Sequence, residues 1–379
     1  MKSKISNPFV IGGYIAPEFF CGRQNEVNLL LKAISSKRNI TLISLRRMGK
    51  TGLLKHVKQL LERDNKHMSV IYIDLMPTMN ANEMINTVSS ALLRLKKHEK
   101  NFFDKLFVLL ASLRPRMTYD SLTGQPVLEL KIESPEDIQF GLEHLLRFIS
   151  EMKKEIVFMF DEFQQINKYP EKNLEQLFRT VIQTFPGIPF IFSGSNKHML
   201  ESMFNAAGRP FYQSTEIMYL DKIEEEDYRM FIMDKFISAH KKISQEAISK
   251  IFDWTRIHTF YVQYVCNLLY ELEGQNINDE LINLTFQRVL DSYEPLFTSF
   301  RNLIPWHQYS LLQAIAAENG IDKPTSGAFI QKYKLTSASS VKTSLIALAD
   351  KEMIVQSENR WLVYDVFFSR WLEYHYGGR

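Results

Sequence analysis

Through residue 220, short apolar runs alternate along the chain with segments in which apolar residues recur at helical spacing. Four of the runs have the length and the β-branched and aromatic content of buried strands. They are NITLISL (39–45), Met68–Leu75, Glu155–Phe163 and Ile188–Ser195. Helical patterns cover residues 24–38, 53–64, 81–97, 136–153 and 172–184. Buried strands that alternate with helices predict an α/β fold whose parallel sheet is covered on both faces.

One segment departs from this alternation. MTYDSLTGQPVLELKI, Met117–Ile132, alternates between apolar and polar positions with a period of two around Thr123-Gly124. This pattern predicts a β-hairpin inserted between the second and the third strand.

Beyond residue 221 the strand patterns give way to helical ones, at 224–240, 244–254, 259–273 and 277–300. From Trp306, three further helical patterns (WHQYSLLQAIAAENG, SGAFIQKYKL and SASSVKTSLIALADKEM) precede a two-stranded alternation in EMIVQSENRWLVYD. Three helices and a hairpin in this order are typical of a winged helix-turn-helix. We therefore predict three parts, at 1–220, 221–300 and 301–379.

The composition fits an ordinary globular protein, because 45% of the residues are apolar and 23% are charged. A net charge of +3 is too weak to indicate a nucleic-acid surface by itself. No apolar run reaches the ~18 residues that span a bilayer, and the N-terminus lacks the pattern of a signal peptide. The two cysteines, Cys21 and Cys266, form neither a disulfide framework nor a metal cluster. We expect a cytoplasmic protein without a membrane partner, and its oligomeric state stays open.

The stretch TLISLRRMGKTGLLKHV resembles the phosphate-binding motif G-x-x-x-x-G-K-[ST], with Ser44 in place of the first glycine. Gly-Lys-[Ser/Thr] alone occurs by chance in about one chain in five of this length. Here, however, a strand precedes the loop and a helix follows it, as a phosphate cradle requires. We therefore expect nucleotide contacts from Ser44, Leu45, Arg46, Arg47, Met48, Gly49, Lys50, Thr51 and Gly52.

Individual roles follow from the chemistry of these residues. Gly49 has no Cβ, so its backbone can approach the phosphates closely. Lys50 would reach the β- and γ-phosphates, and the Thr51 hydroxyl would bind Mg²⁺. Ser44 is tolerated if its φ is negative. Arg46 and the arginine after it are interpreted first as solvated surface charges, with a phosphate contact as the alternative.

Acidic and polar residues follow two of the predicted strands. EIVFMFDEF places Asp161 and Glu162 directly after a buried strand. Asp161 would orient Mg²⁺ and Glu162 would act as general base, and two helix-capping acids are the alternative. Ser195 and Asn196, in SGSN at the end of the next strand, could lie near the γ-phosphate, or they could form a strand-to-helix turn with a cap.

Several ordered motifs carry a resemblance to a known family. They are FCGRQNEVNLL, LRRMGKTGLL, MFDEFQQI, FIFSGSNKHML, SSVKTSLIALADKEMI and YDVFFSRWL. In these motifs the chain resembles the archaeal-type ATPases of the STAND branch of AAA+ P-loop NTPases. The resemblance implies a P-loop core at 1–220, a helical lid at 221–300 and a winged helix-turn-helix at 301–379.

The resemblance also implies a function and further site residues. The protein would be an ATP-dependent switch that binds ATP or ADP with Mg²⁺ between the core and the lid. Gly22 and Arg23, from the opening motif, would lie near adenine and ribose. His258 occupies the matching position of the lid signature, although Arg256 and Thr259 flank it where the family has glycine and proline.

Three other departures concern catalysis. Besides Ser44, Gly52 stands where the family prefers serine. The family's L-Y-G-R is FYQS here, Phe211–Ser214, so its candidate arginine finger is missing, and Arg209 is out of register. Slow ATP hydrolysis and a non-hydrolysing ATP-binding module are therefore both retained as hypotheses.

A third hypothesis is a DNA-binding regulator that acts through the winged helix. Its third helix would present Ser337, Ser340, Lys342 and Thr343 to the major groove. Only one of these is basic, so a winged helix that packs against a protein partner is the alternative.

Overall fold

The computed structural model describes residues 7–95, 100–119, 121, 124, 126–152, 154–274, 276–357 and 359–377. The chain divides into two compact units. The first, called the sheet unit, is Gly13–Lys222. The second, called the C-terminal unit, combines the residues up to Gly12 with Ile223–Arg379.

The sheet unit is built on a five-stranded parallel sheet. The strands of this unit are β1 (Ile40–Ser44), β2 (Met68–Asp74), β3 (Arg116–Tyr119), β4 (Pro126–Glu129), β5 (Glu155–Asp161), β6 (Phe190–Gly194) and β7 (Glu216–Leu220). Its helices are α1 (Gln24–Ser35), α2 (Lys50–Asp64), α3 (Ala81–Leu95), α4 (Lys100–Leu109), α5 (Pro135–Ser150), α6 (Leu174–Thr184) and α7 (Lys197–Asn205). The sheet order is β2-β5-β6-β1-β7.

Successive residues of β5 pack on opposite faces of this sheet. Phe158 and Phe160 join a buried cluster with α3, α5 and α6. Val157 and Met159 join a second cluster with α1 and α2. A strand whose two faces are both covered needs a continuous apolar sequence, which is why β5 has no polar alternation. The predicted parallel sheet covered on both faces is confirmed.

The segment predicted as an inserted hairpin contains an antiparallel pair, β3 with β4. The backbone N–H of Leu128 donates to Ser90 Oγ on α3 at 3.0 Å, and that of Leu130 donates to Asn86 Oδ1 at 2.7 Å. These bonds attach the pair to the helix beside it. Of the turn predicted at Thr123-Gly124, the threonine lies outside the described residues.

Strand β7 was not predicted from the sequence. It forms one edge of the sheet and pairs only with β1 within the described sheet. Tyr219, the fourth of its five residues, is 50% exposed. The strand is only five residues long, EIMYL, and so short an apolar run cannot be distinguished from part of a buried helix by its periodicity.

The C-terminal unit is mainly helical. Its helices are α8 (Glu225–Ser238), α9 (Gln245–Thr255), α10 (Thr259–Glu271), α11 (Asp279–Leu303), α12 (Trp306–Ala317), α13 (Gly327–Lys332), α14 (Ala338–Asp350) and α15 (Val366–Tyr376). Its strands are β8 (Lys242–Ile243), β9 (Asn276–Ile277), β10 (Ile354–Ser357) and β11 (Arg360–Val363). The parallel pair β8–β9 corrects the expectation of helices alone between residues 221 and 300.

Helices α12, α13 and α14 and the antiparallel pair β10–β11 follow the predicted winged-helix order. Helix α11 runs unbroken through the predicted boundary at residue 300. The aromatic-rich segment Val366–Tyr376 forms α15, which buries Phe367, Phe368 and Trp371 in this unit. Among the described helices, none combines the length and the apolarity needed to cross a membrane.

Candidate nucleotide-binding site

The predicted phosphate loop connects β1 to α2, whose first residue is Lys50. Gly49 precedes the helix with a φ of 92°, a left-handed conformation that favours glycine. The loop therefore lies at the carboxyl end of a central strand and at the N-terminus of a helix. Unpaired N–H groups and the helix dipole favour an anion at this position.

Ser44, which stands where the family motif has glycine, ends β1 as a regular strand residue. It is absent from the described residues with positive φ, so the backbone does not require glycine here. The side chain is 4% exposed, and Oγ has no hydrogen-bond partner among the described residues. The serine thus fits the strand and leaves a buried hydroxyl beside the loop.

Arg23 supports the loop from the opening motif. The residue is 5% exposed, and its guanidinium donates to the backbone carbonyls of Met48, at 3.0 Å, and Lys222, at 3.3 Å. It also pairs with Glu26 at 3.0 Å. The structure thus places Arg23 against the loop backbone, next to Gly22 in a left-handed conformation. Proximity to adenine stays a prediction.

Lys50 lies between two carboxylates from β5 and its end. Its Nζ pairs with Asp161 Oδ1 and with Glu162 Oε1, the latter at 3.1 Å. Thr51 Oγ1 donates to Asp161 Oδ2 at 2.7 Å. Lys50 and Asp161 are 111 residues apart in the chain, and the sheet brings them together across the intervening strand β6. Four residues assigned from the sequence therefore form one cluster.

Two hydroxyl groups that the sequence patterns did not predict also donate hydrogen bonds to Asp161. Ser193 Oγ on β6 donates to Oδ1 at 2.7 Å, and the Tyr72 hydroxyl on β2 donates to Oδ2 at 2.8 Å. Burial raises the pKa of Asp161, but the charge and hydrogen bond of Lys50 and the hydrogen bonds from Thr51 and Ser193 outweigh it and lower the pKa to about 2. Asp161 is therefore ionised at neutral pH. The available signal was a polar residue inside each flanking apolar strand.

Glu162 follows β5 in a left-handed conformation, with a φ of 53°. Its Oε2 accepts hydrogen bonds from Gln164 Nε2 at 2.5 Å and from Ser195 Oγ at 2.9 Å. Burial raises the pKa of Glu162, but Lys50 and the Gln164 bond outweigh it, so the net shift is downward. The structure brings Ser195 to the predicted general base, and its contact with a γ-phosphate stays a prediction.

Asn196 caps helix α7. Its side chain accepts a hydrogen bond from the backbone N–H of Met199 at 3.0 Å, the geometry of the strand-to-helix alternative. Arg46 and Arg47 are exposed, in line with the surface interpretation. An added Cβ at Gly52 would meet nothing within 4 Å, so a serine would fit there.

Two residues of the predicted lid signature, His258 and Arg256, have defined contacts. His258 belongs to the C-terminal unit, where it precedes α10 and lies 4.9 Å from the ring of Tyr261. In the same unit, Arg256 donates to the Val363 carbonyl at 3.1 Å and to Ser369 Oγ at 2.8 Å, so it fixes α9 to the winged helix.

A family model described as an ATPase domain predominantly from Archaea matches residues 20–271, more than half of the chain. The chain belongs to this family of archaeal ATPases. A second model, a probable winged helix domain, matches residues 295–374. The matched range includes the phosphate loop, the β5 acids and the end of β6. No curated protein matches the sequence.

Solved structures support the same fold. A Walker-type ATPase of Pyrococcus abyssi is 17% identical over 97% of this chain and 99% of its own, with a TM-score of 0.66. The ORC2 protein of Aeropyrum pernix, solved as ADPNP-ADP complexes, is 13% identical over 97% and 95%, with a TM-score of 0.59. The ORC1 protein of the same organism, solved with DNA, is 12% identical over 97% and 96%, with a TM-score of 0.51. At these identities the likeness shows the fold alone.

Membership of a P-loop ATPase family implies a nucleotide and a divalent metal. The site fits this pair, because Lys50 provides a cation, and Thr51 and Asp161 provide oxygen atoms of the kind that hard divalent cations prefer. Within the described residues, no group of three or more His, Cys, Asp or Glu side chains could hold a metal. A divalent metal held by Thr51 and Asp161 would take its remaining ligands from phosphate or water oxygens.

Proposed function

We propose that this archaeal-type ATPase binds ATP with Mg²⁺, hydrolyses it slowly and acts as a conformational switch of the STAND type. The observation that carries the proposal is the position of Lys50 between Asp161 and Glu162, with the Thr51 hydroxyl on the same Asp161 carboxylate. A lysine and a hydroxyl at a helix N-terminus, opposite two acids, form the minimal machinery for phosphoryl transfer to water.

Each side chain has a role in this scheme. Lys50 would contact the β- and γ-phosphates, and Thr51 and Asp161 would hold Mg²⁺, which neutralises charge that develops on the phosphate oxygens. Glu162 would accept a proton from the attacking water. The water oxygen then bonds to the γ-phosphorus while the bond to the bridging oxygen breaks, leaving ADP and phosphate.

Slow turnover is proposed because one cation of the family motif is missing. Phe211–Ser214 has no arginine, and the nearby Arg209 pairs with Glu175. An arginine finger contributes about 10³–10⁵ in rate where it is present. A protein without it can bind ATP firmly and still change state rarely, as a switch requires.

The test combines two substitutions in the phosphate site with one control. Glu162→Gln should lower single-turnover hydrolysis by about 10²–10⁴-fold and leave bound ATP intact. Lys50→Ala should weaken ATP binding by roughly 100-fold, because it removes charged contacts to phosphate. Glu155→Gln, at the opposite end of β5, should change neither quantity. Equal turnover by wild type and Glu162→Gln would refute the hydrolytic role.

The main alternative is a module that binds ATP without cleaving it. In that case the nucleotide that co-purifies with the wild-type protein should be ATP, and no phosphate should be released over many hours. Chromatography of the extracted nucleotide separates the two versions, since a slow hydrolase should also carry ADP.

DNA binding through the winged helix is a second candidate function, supported by the winged helix match and by the ORC1 structure solved with DNA. Lys342 and Thr343 on α14 are exposed. Lys332, at the end of α13, pairs with Glu318, so the charge of this lysine is partly neutralised. Binding to duplex DNA that weakens steeply with salt would support this role, and its absence with and without ATP would reject it.

A further inference from the structure

Gln164, three residues after Asp161, is a buried polar side chain. Its amide nitrogen has a hydrogen-bond partner among the described residues, and its amide oxygen has none. The residue is 7% exposed. Its Nε2 donates to Glu162 Oε2 at 2.5 Å, while its Oε1 has no hydrogen-bond partner among the described residues. Exchange of the amide nitrogen and oxygen would bring two acceptors together, so the carboxylate fixes the orientation of the amide.

A buried acceptor without a partner is costly, and such groups are rare in folded proteins. A leucine or methionine at this position would avoid the cost and fill similar space. The glutamine therefore requires an explanation other than packing, and the described hydrogen bond of its side chain goes to Glu162.

Gly194 at the end of β6 provides the space for this amide. A Cβ added at Gly194 would lie 1.9 Å from Gln164 Oε1 and 2.8 Å from Leu200 Cδ1. The φ of Gly194 lies outside the left-handed region, so it is the neighbouring side chain, and not the backbone, that requires glycine. The next residue, Ser195, donates to the same oxygen, Glu162 Oε2. Residues at the end of β6 and in the turn after β5 thus donate hydrogen bonds to the same oxygen, Glu162 Oε2.

We propose that Gln164 is a positioning residue that holds Glu162 Oε2 and thereby orients the carboxylate for water activation. The inference rests on the proposed function, in which Glu162 acts as general base. Gln164 does not touch the reacting atoms. Its effect should therefore appear in the rate of hydrolysis and not in ATP affinity, because neither Lys50 nor Thr51 bonds to it among the described hydrogen bonds.

The experiment uses the full chain and measures single-turnover hydrolysis at saturating ATP and Mg²⁺, together with the Kd for ATP. Gln164→Met keeps the length of the side chain and removes the donor. Gly194→Ala displaces the amide from the other side. Each should lower the rate by about 100-fold, the typical effect of a small misplacement of a catalytic group, with Kd within about twofold.

Two matched controls separate this effect from general disturbance. Gln165 Nε2 donates to the Thr78 carbonyl at 3.0 Å, so Gln165→Met removes a similar bond one residue away. Gly187 has open space around an added Cβ, so Gly187→Ala tests glycine replacement alone. Both should hydrolyse ATP within about twofold of wild type.

The double variant Gln164→Ala/Gly194→Ala, measured beside the single variants Gln164→Ala and Gly194→Ala, gives a further test. If both substitutions act on the same amide, the double variant should lose about 100-fold, close to either single one, and not the product of the two losses. Losses that multiply would assign Gly194→Ala to its contact with Leu200 and overturn the coupling. A Gly194→Ala protein that fails to fold leaves the decision to Gln164→Met.

Different results would contradict the positioning role of Gln164 and the proposed hydrolysis of ATP. Wild-type rates in Gln164→Met, with a slow Glu162→Gln, would overturn the inference alone. Wild-type rates in Glu162→Gln, or a wild-type protein that binds ATP without cleaving it, would refute both. A large rise in Kd for Gln164→Met would assign Gln164 to binding and reject positioning.

Discussion

The ion pair between Lys50 and Asp161 can be broken from either side, and the two variants should differ. Their side chains are only 6% and 3% exposed. A Lys50→Met variant keeps a buried carboxylate and removes its cation. Removal of one partner from a buried pair costs about 3–5 kcal/mol, because the remaining charge is uncompensated.

The pKa of Asp161 indicates how strongly the folded protein favours the ionised carboxylate. Asp161 has a pKa of about 2, against an ordinary value of 3.8. A gap of roughly two pKa units corresponds to about 2–3 kcal/mol of preference for the ionised form. Hydrogen bonds from Thr51, Tyr72 and Ser193 remain in the variant. We therefore expect a loss of about 3 kcal/mol in the sheet unit at pH 7.5.

The double variant Lys50→Met/Asp161→Asn should recover most of this stability, because it removes the uncompensated charge. ATP binding should stay weakened by roughly 100-fold in both variants. Recovery of folding without recovery of binding would show that Lys50 has two separable roles, one in the fold and one in nucleotide recognition.

Hydrogen exchange is the suitable assay. All four tryptophans, Trp254, Trp306, Trp361 and Trp371, lie in the C-terminal unit, so their fluorescence does not report on the sheet unit directly. Exchange of the β5 amides does. A loss of 3 kcal/mol corresponds to about a 100-fold loss of protection. Arg63→Met, which removes an ion pair with both side chains 62% exposed on the same helix α2, should change protection by less than about threefold.

The pH dependence has a definite sign. The pKa of Asp161 is lower in the folded protein than its ordinary value, so the stabilisation is present above about pH 4 and is lost as the pH falls through about 2. The difference between wild type and Lys50→Met should be full at neutral pH and should shrink in acid. Unchanged protection in Lys50→Met, or no recovery in the double variant, would refute the reasoning.

Three further outcomes are expected. Asn196→Ala should destabilise α7 by about 1 kcal/mol through loss of its cap, with unchanged ATP turnover, and a large loss of turnover would favour the γ-phosphate role instead. Arg256→Ala, which removes the guanidinium and keeps a Cβ at this left-handed position, should destabilise the C-terminal unit by about 2 kcal/mol in urea unfolding followed by tryptophan fluorescence, and equal midpoints would contradict the hydrogen bonds to the winged helix. If the winged helix binds DNA, Lys342→Ala should reduce the salt slope of binding by about one, and an unchanged slope would exclude this phosphate contact.

The parts of the site that the sequence predicted are those encoded locally. A buried strand, the loop and a helix with Lys50 and Thr51 at its start are contiguous, and so are β5 and its two acids. Apolar runs and helical spacing identify such elements without knowledge of the fold. Membership of the archaeal ATPase family then agreed with the predicted parallel sheet and winged helix.

Other side chains of the site come together only through the order of the strands in the sheet, which sequence patterns do not specify. Tyr72 and Ser193 reach Asp161 because β2 and β6 flank β5 in the sheet. Gln164 reaches Glu162 through a left-handed turn that no local pattern announces. The sequence predicted helix capping by Asn196 as one of two alternatives. The hydrogen bond at the start of α7 has the geometry of that cap.

The two carboxylate oxygens of Glu162 are held by different partners, and this division has a consequence for the proposed switch. Lys50 donates to Oε1, whereas Gln164 and Ser195 donate to Oε2. An ammonium group that contacts phosphate oxygens has fewer donors left for Glu162. Engagement of phosphate by Lys50 should therefore weaken the bond to Oε1 and leave Oε2 in place. The oxygen released in this way is the one available to accept a proton from water, so nucleotide binding would itself prepare the general base.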